Sequence, residues 1–422
     1  LCPACVAEYE DPGDRRFHAE ATACHSCGPK ARLMRFDGKA VSFEQTSMLD
    51  EVDAALGLIQ KGEIVAIKGL GGYHLACDAT QASTLTQLRS LKQRDRKPFA
   101  LMARDLDVIR GYAEIGAEEE AALTSAAGPI VLLRASGKPL PGAIAPGLVT
   151  LGFMLPTTPL HALLLRRMDR PVVMTSGNIT NAPQVISDED ARNQLAPIAP
   201  FALVHDRDIL NRVDDSVVRV AAGEVRVLRR GRGFAPAPVR LPQGFETASE
   251  ILAFGGDLKS AFCIVKQGQA VLSQHIGDLD DAQTFDDLTR TIALYRDMLA
   301  SAPQALVADL HPHYCSSALA RKIAALEQLP LLHVQHHHAH VASCLAENGR
   351  PLNGSRVLGI ALDGLGYGED GEIWGGEFLF ADYANYERLA TFKPVPMIGG
   401  DKASREPWRN LYAHLMAEMG WA

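Results

Sequence analysis

Short apolar runs separated by glycine-rich turns organise the first half of the chain. Three of these runs predict buried strands: Ile64–Ile67, Ile130–Leu133 and Pro171–Met174. Apolar residues at helical spacing predict helices around them: one that Ser47 can cap and Gly62 ends, one near 81–93 and one at 160–168. This mixture of strands and helices predicts an α/β fold for this part of the chain.

The pattern changes after about residue 250. A strand that ends in Gly255-Gly256 precedes a hairpin, in which two apolar runs flank Gln267-Gly-Gln. A helix, a strand and a further helix follow, at 282–300, at 305–309 and up to about 327. We interpret this order as half of an actin-like ATPase topology. The proline-rich stretch from Pro236 to Pro242 is interpreted as the linker before it.

Composition indicates a globular chain of more than one domain. Of its residues, 47% are hydrophobic and 22% are charged, as in a globular protein. A chain of 422 residues is too long for a single hydrophobic core. No apolar run is long enough to span a membrane, no signal peptide opens the chain, and the net charge of −8 argues against a nucleic-acid partner. Because the chain begins with Leu beside a cysteine motif, we expect a fragment of a longer protein. The cysteine usage fits a reducing compartment, hence the cytoplasm.

Two Cys-x-x-Cys pairs lie in the first 36 residues, separated by eighteen residues. Their thiolates can close a tetrahedral shell around a structural Zn²⁺: Cys2, Cys5, Cys24 and Cys27. The stretch is too short and too polar to fold on apolar burial, so we expect the metal to supply the folding free energy. The alternatives are a disulfide pair and a nucleic-acid-binding zinc ribbon. The ribbon lacks the expected positive excess, because residues 1–36 contain five basic and five acidic side chains.

Positive charge collects at two points after the first predicted strand. Lys68 opens a glycine-rich turn, and glycines let the backbone approach an anion while the Lys adds charge. Lys92, Arg94 and Lys97 lie where a helix gives way to an extended run, and they would suit a polyphosphate. Each feature has a plainer explanation, which is a tight turn with an exposed Lys and a solvated basic helix end.

Hydroxyl and amide side chains follow the strand that ends at Met174. The turn Thr175-Ser176-Gly177-Asn178 can bind a phosphate or ribose, or it can form local Asx-type turns. Further along, a strand is predicted to lead into a basic glycine turn that carries Arg229 and Arg230.

Five histidines within eight residues form a second candidate metal site. His336 and His340 lie at i and i+4, so a helix would place both imidazoles on one face, as two-histidine metal sites require. His337 rather than Glu follows His336, which excludes the metalloprotease helix. Asp363, predicted at the end of a buried strand, could hold a cation or a metal-bound phosphate, or could merely form a turn.

Taken together, these motifs resemble the hydrogenase-maturation carbamoyltransferase family, HypF, over essentially the whole chain. The matching motifs are Cys2-Pro-Ala-Cys5, Asp14-Arg-Arg-Phe-His18, Cys24-x-x-Cys27-Gly-Pro, Lys68-Gly-Leu-Gly-Gly-Tyr-His74, Lys97-Pro-Phe-Ala, Thr175-Ser-Gly-Asn178, Asp214-Asp-Ser-Val-Val-Arg219 and Val334-Gln-His-His-His-Ala-His340. The resemblance implies an α/β (α+β) multidomain protein in three parts. These are a Cys₄ zinc-finger module at 1–36, a YrdC-like twisted open-sheet domain for ATP and carbamate at 37–243, and a partial, C-terminally truncated actin-like (Kae1-like) carbamoyl-transfer domain at 244–422.

The resemblance also implies an ATP-dependent carbamoyltransferase. In the family, an acylphosphatase module, expected to be missing here, converts carbamoyl phosphate to carbamate. The YrdC-like domain joins carbamate to ATP, with Mg²⁺, as carbamoyl-adenylate. The Kae1-like domain then passes the carbamoyl group to the C-terminal Cys of a partner protein, HypE, as a precursor of the cyanide ligand of nickel–iron hydrogenase.

Site residues are implied position by position. The positions that match YrdC-type nucleotide residues are Lys92, Arg94, Ser176, Asn178, Ser216 and Arg229. We add Lys97 and Arg230 as neighbouring cations for ATP. We expect Lys68, Lys92 and Arg94 to take part in catalysis, where Lys68 helps to select the small carbamate anion and the other cations hold ATP. His336, His340 and Asp363 match a Kae1-like site for a second divalent metal.

Two other functions stay open at this point. A tRNA threonylcarbamoyladenosine enzyme, which makes or transfers threonylcarbamoyl-adenylate, has two similar large domains. The Cys₄ module, the Lys-Gly-Leu-Gly-Gly turn and the acidic balance favour the carbamoyltransferase over it. A non-catalytic, zinc-stabilised binding module would need no ATP site at all.

Overall fold

The computed structural model describes residues 1–19, 22–39, 41, 50–179, 182–400 and 402–420. The chain divides into two units, Leu1–Ala235 and Pro236–Ala422. In the described ranges, no helix combines the length and the apolar character that crossing a membrane requires.

A ten-stranded mixed sheet forms the centre of the first unit. Its strands are β1 (Ala31–Arg35), β2 (Val65–Lys68), β3 (Tyr73–Asp78), β4 (Ala100–Met102), β5 (Ile130–Arg134), β6 (Thr150–Met154), β7 (Val172–Ser176), β8 (Phe201–His205), β9 (Val217–Ala221) and β10 (Glu224–Arg229). They lie in the order β1-β8-β2-β3-β7-β4-β6-β5-β9-β10. The helices are α1 (Pro3–Glu10), α2 (Glu51–Gln60), α3 (Ala82–Lys92), α4 (Leu106–Arg110), α5 (Ala117–Thr124), α6 (Pro159–Leu165) and α7 (Asp188–Asp190), which continues as a π-helical turn at Ala191–Leu195.

Both faces of the central strands β2 and β3 are buried, and successive strand residues point to opposite sides of the sheet. On β3, Tyr73 and Leu75 pack in one core, which also takes residues of α3, α4 and α5. Ala76 packs in the other core, together with residues of α2 and α6. Strands buried on both faces are expected to be continuous apolar runs, which is how these strands were recognisable in the sequence.

The predicted strands and helices of this unit are confirmed, with two changes at helix ends. Ser47, the predicted cap, lies outside the described residues, and the side chain of Asp50 caps α2 by accepting from Val52 N and Asp53 N. The third predicted helix ends at Leu165 rather than at 168.

The second unit contains two sheets. The first has six strands, β11 (Val239–Arg240), β12 (Ile251–Phe254), β13 (Phe262–Lys266), β14 (Gln269–Leu272), β15 (Ala305–Asp309) and β16 (Leu331–Val334), in the order β11-β14-β13-β12-β15-β16. The second has three: β17 (Val357–Tyr367), β18 (Ile373–Ala381) and β19 (Tyr386–Thr391). The helices are α8 (Ala282–Met298), α9 (Cys315–Glu327), α10 (His336–Glu347), α11 (Lys402–Arg405) and α12 (Trp408–Met419).

The six-stranded sheet has the half-ATPase order expected from the sequence. Strands β12, β13 and β14 form an antiparallel meander, and β15 and β16 join β12 in parallel. Gln267 and Gly268 both have positive φ angles, as a two-residue hairpin turn requires.

Two sequence predictions for this unit are wrong. The proline-rich stretch is not only a linker, because β11 lies within it and pairs with β14 at the edge of the sheet, where flanking prolines are tolerated. Asp363 does not end its strand, since β17 continues to Tyr367. The pairing of β17 with β18 shifts between Leu362 and Gly366, so Asp363 lies in an irregular part of the strand that can turn its side chain toward α10.

Candidate functional site

The four cysteines of the first 36 residues come together in the fold. Neighbouring Sγ atoms are separated by 3.6 Å (Cys2 to Cys24), 3.9 Å (Cys24 to Cys27) and 3.7 Å (Cys27 to Cys5). A tetrahedral ion with Zn–S bonds of about 2.3 Å would hold its sulfurs about 3.8 Å apart. None of the four is in a disulfide, so the alternative of a disulfide pair does not hold. The cluster therefore fits zinc.

Local backbone geometry prepares these thiols for a metal. Cys2 lies at the N-cap position of α1, and the first turn of this helix carries Cys5. Amide groups of the second pair, at Cys27 and Ser26, lower the pKa of Cys24 to about 6, whereas burial raises the pKa of Cys5 to about 12. Because zinc binds thiolates, the ion itself would keep Cys5 ionised.

Lys68 ends β2 with its side chain buried, so it is not the exposed Lys of a plain turn. Its ammonium donates to Asp188 Oδ1 at 2.6 Å and to the carbonyl of His205 at 3.1 Å. The hydroxyl of Tyr73 donates to the same Asp188 oxygen at 2.6 Å. Burial raises the pKa of Asp188, but the bonds from Lys68 and Tyr73 outweigh it and hold that pKa below its usual range. Lys68 is thus already paired with an anion, and the Asp188 side chain is 55% exposed.

Other loops of the protein fill the space beside the glycines that follow Lys68. A side chain at Gly71 would collide with the backbone of Val213, and one at Gly72 with the side chain of Gln184. In the structure, parts of the chain itself pack closely against this turn. Binding of an anion there therefore stays a prediction.

Lys92 is the central residue of the predicted phosphate site, although it is fully buried. Its ammonium donates to the carbonyls of Ser176 (2.6 Å) and Asn178 (2.5 Å) and to Asn178 Oδ1 (2.5 Å). The Ser176 hydroxyl donates to the same amide oxygen at 2.7 Å. Burial, together with the charges of Arg94 and Lys97, lowers the pKa of Lys92 to about 7. Lys92 thereby fixes the turn after β7.

Arg94 and Arg229 extend this cluster. Arg94 donates to the carbonyls of Lys97 (2.9 Å) and Pro98 (2.5 Å), which fixes the extended run after α3. Burial and the like charges of Arg89 and Arg229 lower the pKa of Arg94 to about 10. Arg229, at the end of β10, is therefore a close electrostatic neighbour of the cations that follow α3.

Hydrogen bonds join Ser216 and its neighbour Asp215 to residues 229–232, called the arginine turn below. Ser216 is fully buried, accepts from Gly231 N at 2.8 Å and donates to the carbonyl of Arg232 at 2.9 Å. Arg229 donates to the carbonyl of Asp215 at 3.0 Å. The Ser216 hydroxyl is thus committed to the chain.

A further contact connects Asp215, and with it the arginine turn, to the turn after β7. Asp215 Oδ2 lies 3.5 Å from His74 Nε2, and His74 pairs directly with Ser176 across β3 and β7. Arg230 donates to the carbonyl of Phe234 at 2.9 Å. Apart from Arg230 and Lys68, direct contacts or close charges link the predicted ATP and carbamate residues of the first unit. Their binding roles stay predictions.

In the second unit, the structure brings the predicted metal ligands to one point. His336 Nε2 and His340 Nε2 lie 2.8 Å and 3.1 Å from Asp363 Oδ2, and 3.2 Å from each other. Bonds of about 2.1 Å to three adjacent corners of an octahedral ion would place these atoms about 3.0 Å apart. Two imidazoles with one carboxylate suit a divalent transition metal better than Mg²⁺ or Ca²⁺, and they leave coordination positions open.

Sequence reasoning missed the acidic partners of these sites. Asp309, at the end of β15, has its Oδ2 2.6 Å from His336 Nδ1. The bonds to Asp309 and Asp363 raise the pKa of His336 to about 9. Asp188 is the corresponding omission beside Lys68. The one signal for Asp309 was its place at a strand end before His311-Pro-His, and Asp188 gave none.

Four sequence families match successive parts of the chain. They are described as HypF finger (residues 1–34), telomere recombination, of the Sua5, YciO and YrdC proteins (57–231), HypF Kae1-like domain (246–347), and carbamoyltransferase, Kae1-like domain, second subdomain (359–422). The chain is therefore a multidomain α/β protein with a zinc finger, a YrdC-like part and a Kae1-like part.

Known proteins with the same combination are similar over the whole chain. Carbamoyltransferase HypF of Rhodobacter capsulatus is 50% identical over 99% of this chain and 55% of its own length. The crystal structures of full-length HypF in a phosphate- and nucleotide-bound form and of HypF from T. kodakarensis are 41% and 42% identical. Each has a TM-score of 0.89 over 99% of this chain and 53% of its own. The chain belongs to the HypF family, and it spans about half the length of these relatives.

The zinc cluster gives a first prediction. Cys24→Ser should lower the zinc content by one ion per chain, as measured by mass spectrometry of the metal, and should speed amide hydrogen exchange in residues 1–19. The reason is that metal binding supplies the folding free energy of the finger. The control is Cys344→Ser, which changes an exposed cysteine on α10. Equal zinc contents in the two variants would contradict the assignment.

Proposed function

We propose that the first unit activates carbamate with ATP and that the second unit transfers the carbamoyl group. The observation that carries the first part is the set of linked cations and donors around Lys92. Formation of carbamoyl-adenylate brings an anionic carbamate to a polyphosphate, so fixed positive groups must offset the charge. The Kae1-like match, with its open metal site, supports the second part.

The contacts suggest a division of work among the cations. Lys92 organises the turn at Ser176–Asn178, because its ammonium donates three hydrogen bonds to that turn. Arg94, Lys97 and Arg229 then bind the phosphates of ATP, which carries Mg²⁺. Ser216 and Arg230 fix the arginine turn. Burial, followed by the like charges of Arg89 and Arg229, lowers the pKa of Arg94. A bound polyphosphate would relieve the repulsion among these cations.

Lys68 is proposed to select carbamate. Because Asp188 already neutralises it, the incoming carbamate would share the ammonium with Asp188 or replace it. Asp188 is half exposed, so its carboxylate could turn into solvent, and the carbamate would then balance the buried ammonium of Lys68.

The second unit is proposed to hold a divalent metal on His336, His340 and Asp363. When bound, the ion would act as a Lewis acid toward the adenylate. The acceptor would be the C-terminal Cys of HypE, and the carbamate would come from carbamoyl phosphate. No nucleic-acid partner is proposed. The cytoplasm is the proposed location, because all eight cysteines are free, as in a reducing compartment. The proposed domains are 1–36, 37–243 and 244–422.

The adenylation step can be measured as exchange of labelled pyrophosphate into ATP. Ammonium bicarbonate, which equilibrates with carbamate, should support exchange, and threonine with bicarbonate should not. Exchange that depends on threonine would instead identify a threonylcarbamoyl-adenylate synthase. Absence of exchange and of ATP binding would leave the non-catalytic binding module.

Arg94→Ala should raise the KM for ATP in this assay about 10- to 100-fold, since a hydrogen bond to a charged group contributes about 1.5–3 kcal/mol. The matched control is Arg96→Ala, which removes an exposed cation two residues away. If both variants keep the parent KM, the phosphate site is wrongly placed.

Lys68→Ala should raise the KM for carbamate more than the KM for ATP, because only the carbamate is expected to contact the ammonium. Lys61→Ala, at an exposed position after α2, serves as the control. A larger effect on ATP than on carbamate would return Lys68 to a structural role.

The transfer step predicts a separable defect. His336→Ala should abolish formation of a thiocarboxamide on purified HypE, followed by mass spectrometry, while pyrophosphate exchange stays within twofold of the parent value. Loss of both activities in a folded variant would argue against a division of the two steps between the two units.

A further inference from the structure

The chain supports the three donor groups of the second unit to different degrees. The His336 ring is one-fifth exposed, and its Nδ1, which faces away from His340 and Asp363, lies against the carboxylate of Asp309. His340 is 55% exposed, and among the described residues its ring bonds involve Nε2 alone. The two imidazoles at i and i+4 are therefore not equivalent.

Asp309 can orient His336 because Asp309 is itself fixed. Its carboxyl group is 7% exposed. Oδ1 accepts from His311 N at 2.8 Å, which leaves Oδ2 for His336 at 2.6 Å. The carbonyl of Asp309 accepts from the Ser317 hydroxyl at 3.3 Å and lies 3.0 Å from His333 Nδ1. Both carboxyl oxygens and the carbonyl thus have partners, and the position is set by the end of β15.

This geometry decides which nitrogen of His336 can bind an ion. A carboxylate at 2.6 Å holds a proton on Nδ1, so the Nε2 lone pair is directed toward His340 and Asp363. A charge-assisted hydrogen bond on one ring nitrogen also makes the other a stronger donor to a metal. His340 receives no such support from the described residues.

We propose that Asp309 is a positioning residue that makes His336 the anchoring ligand of the metal and leaves His340 as the weaker, exchangeable one. This inference rests on the metal site of the proposed function, and it adds that His336 holds the metal more strongly than His340 does. A rigid ligand beside a loosely held one would keep the ion bound while a coordination position is vacated for a reactant.

The test uses Mn²⁺ as the probe, on the full chain with its finger loaded with zinc. Free Mn²⁺ is counted from its electron paramagnetic resonance signal during a titration. Asp309→Asn should raise the dissociation constant about 10- to 100-fold, the range for loss of such an outer partner. Asp297→Asn, at an exposed position on α8, should leave it unchanged. His336→Ala should weaken Mn²⁺ binding more than His340→Ala does.

A second readout separates positioning from a merely structural role. In protein loaded with Zn²⁺ at both sites and labelled with ¹⁵N at histidine, the Nδ1 proton of His336 should exchange slowly in the parent and quickly in Asp309→Asn. Folding of the second unit is followed by the fluorescence of Trp374 and Trp408. If Asp309→Asn does not fold, Asp309→Glu replaces it, because the longer side chain displaces the carboxylate and should also weaken Mn²⁺ binding.

Three results would overturn the inference: an unchanged dissociation constant in the folded Asp309 variant, equal losses in the two histidine variants, or fast exchange of the His336 proton in the parent. A parent protein that binds no Mn²⁺ would remove the metal site itself and this inference with it. That outcome would be distinguishable, since pyrophosphate exchange in the first unit would be unaffected.

Discussion

A buried ammonium holds the candidate nucleotide site of the first unit together. Lys92 reaches from the last turn of α3 to the turn after β7, where two carbonyls and an amide oxygen surround it. Removing a cation from water costs several kcal/mol unless acceptors replace its hydration, so the turn must keep the shape that supplies them. The position of Ser176 and Asn178 thus follows from one side chain 84 and 86 residues away.

The distribution of charge around this ammonium distinguishes the two proposed ligands. Burial and the like charges of Arg89 and Arg229 lower the pKa of Arg94, and a highly charged anion such as ATP would relieve the repulsion among these cations. Lys68 differs, because Asp188 already balances it. A ligand at Lys68 gains only the difference between its own bond and that of Asp188. This favours a small anion that fits the same oxygen positions over a large one that brings more charge.

What could be predicted from the sequence was local. The apolar runs of β2, β5 and β7 identify strands because each is buried on both faces, and His336 and His340 identify a site because helical spacing alone brings them together. The cysteine pairs are recognisable by spacing as well. The partners that tune these groups are not local: Asp188 meets Lys68 from 120 positions away, and Asp309 meets His336 from 27. Such pairs depend on strand order, which no pattern along the chain records.

The two candidate metal sites differ in their coordination geometry, and this difference decides which of them could take part in chemistry. The finger offers four sulfurs at tetrahedral spacing, a closed shell that leaves no position for a reactant. The second site offers three donors on one side of the ion, and two of them, His340 and Asp363, are 55% and 40% exposed. Only an ion held in this second way could bind a substrate oxygen without losing a protein ligand. A site open on one side retains its ion only if the remaining ligands are held rigidly. The carboxylate behind His336, fixed at the end of β15, meets that requirement.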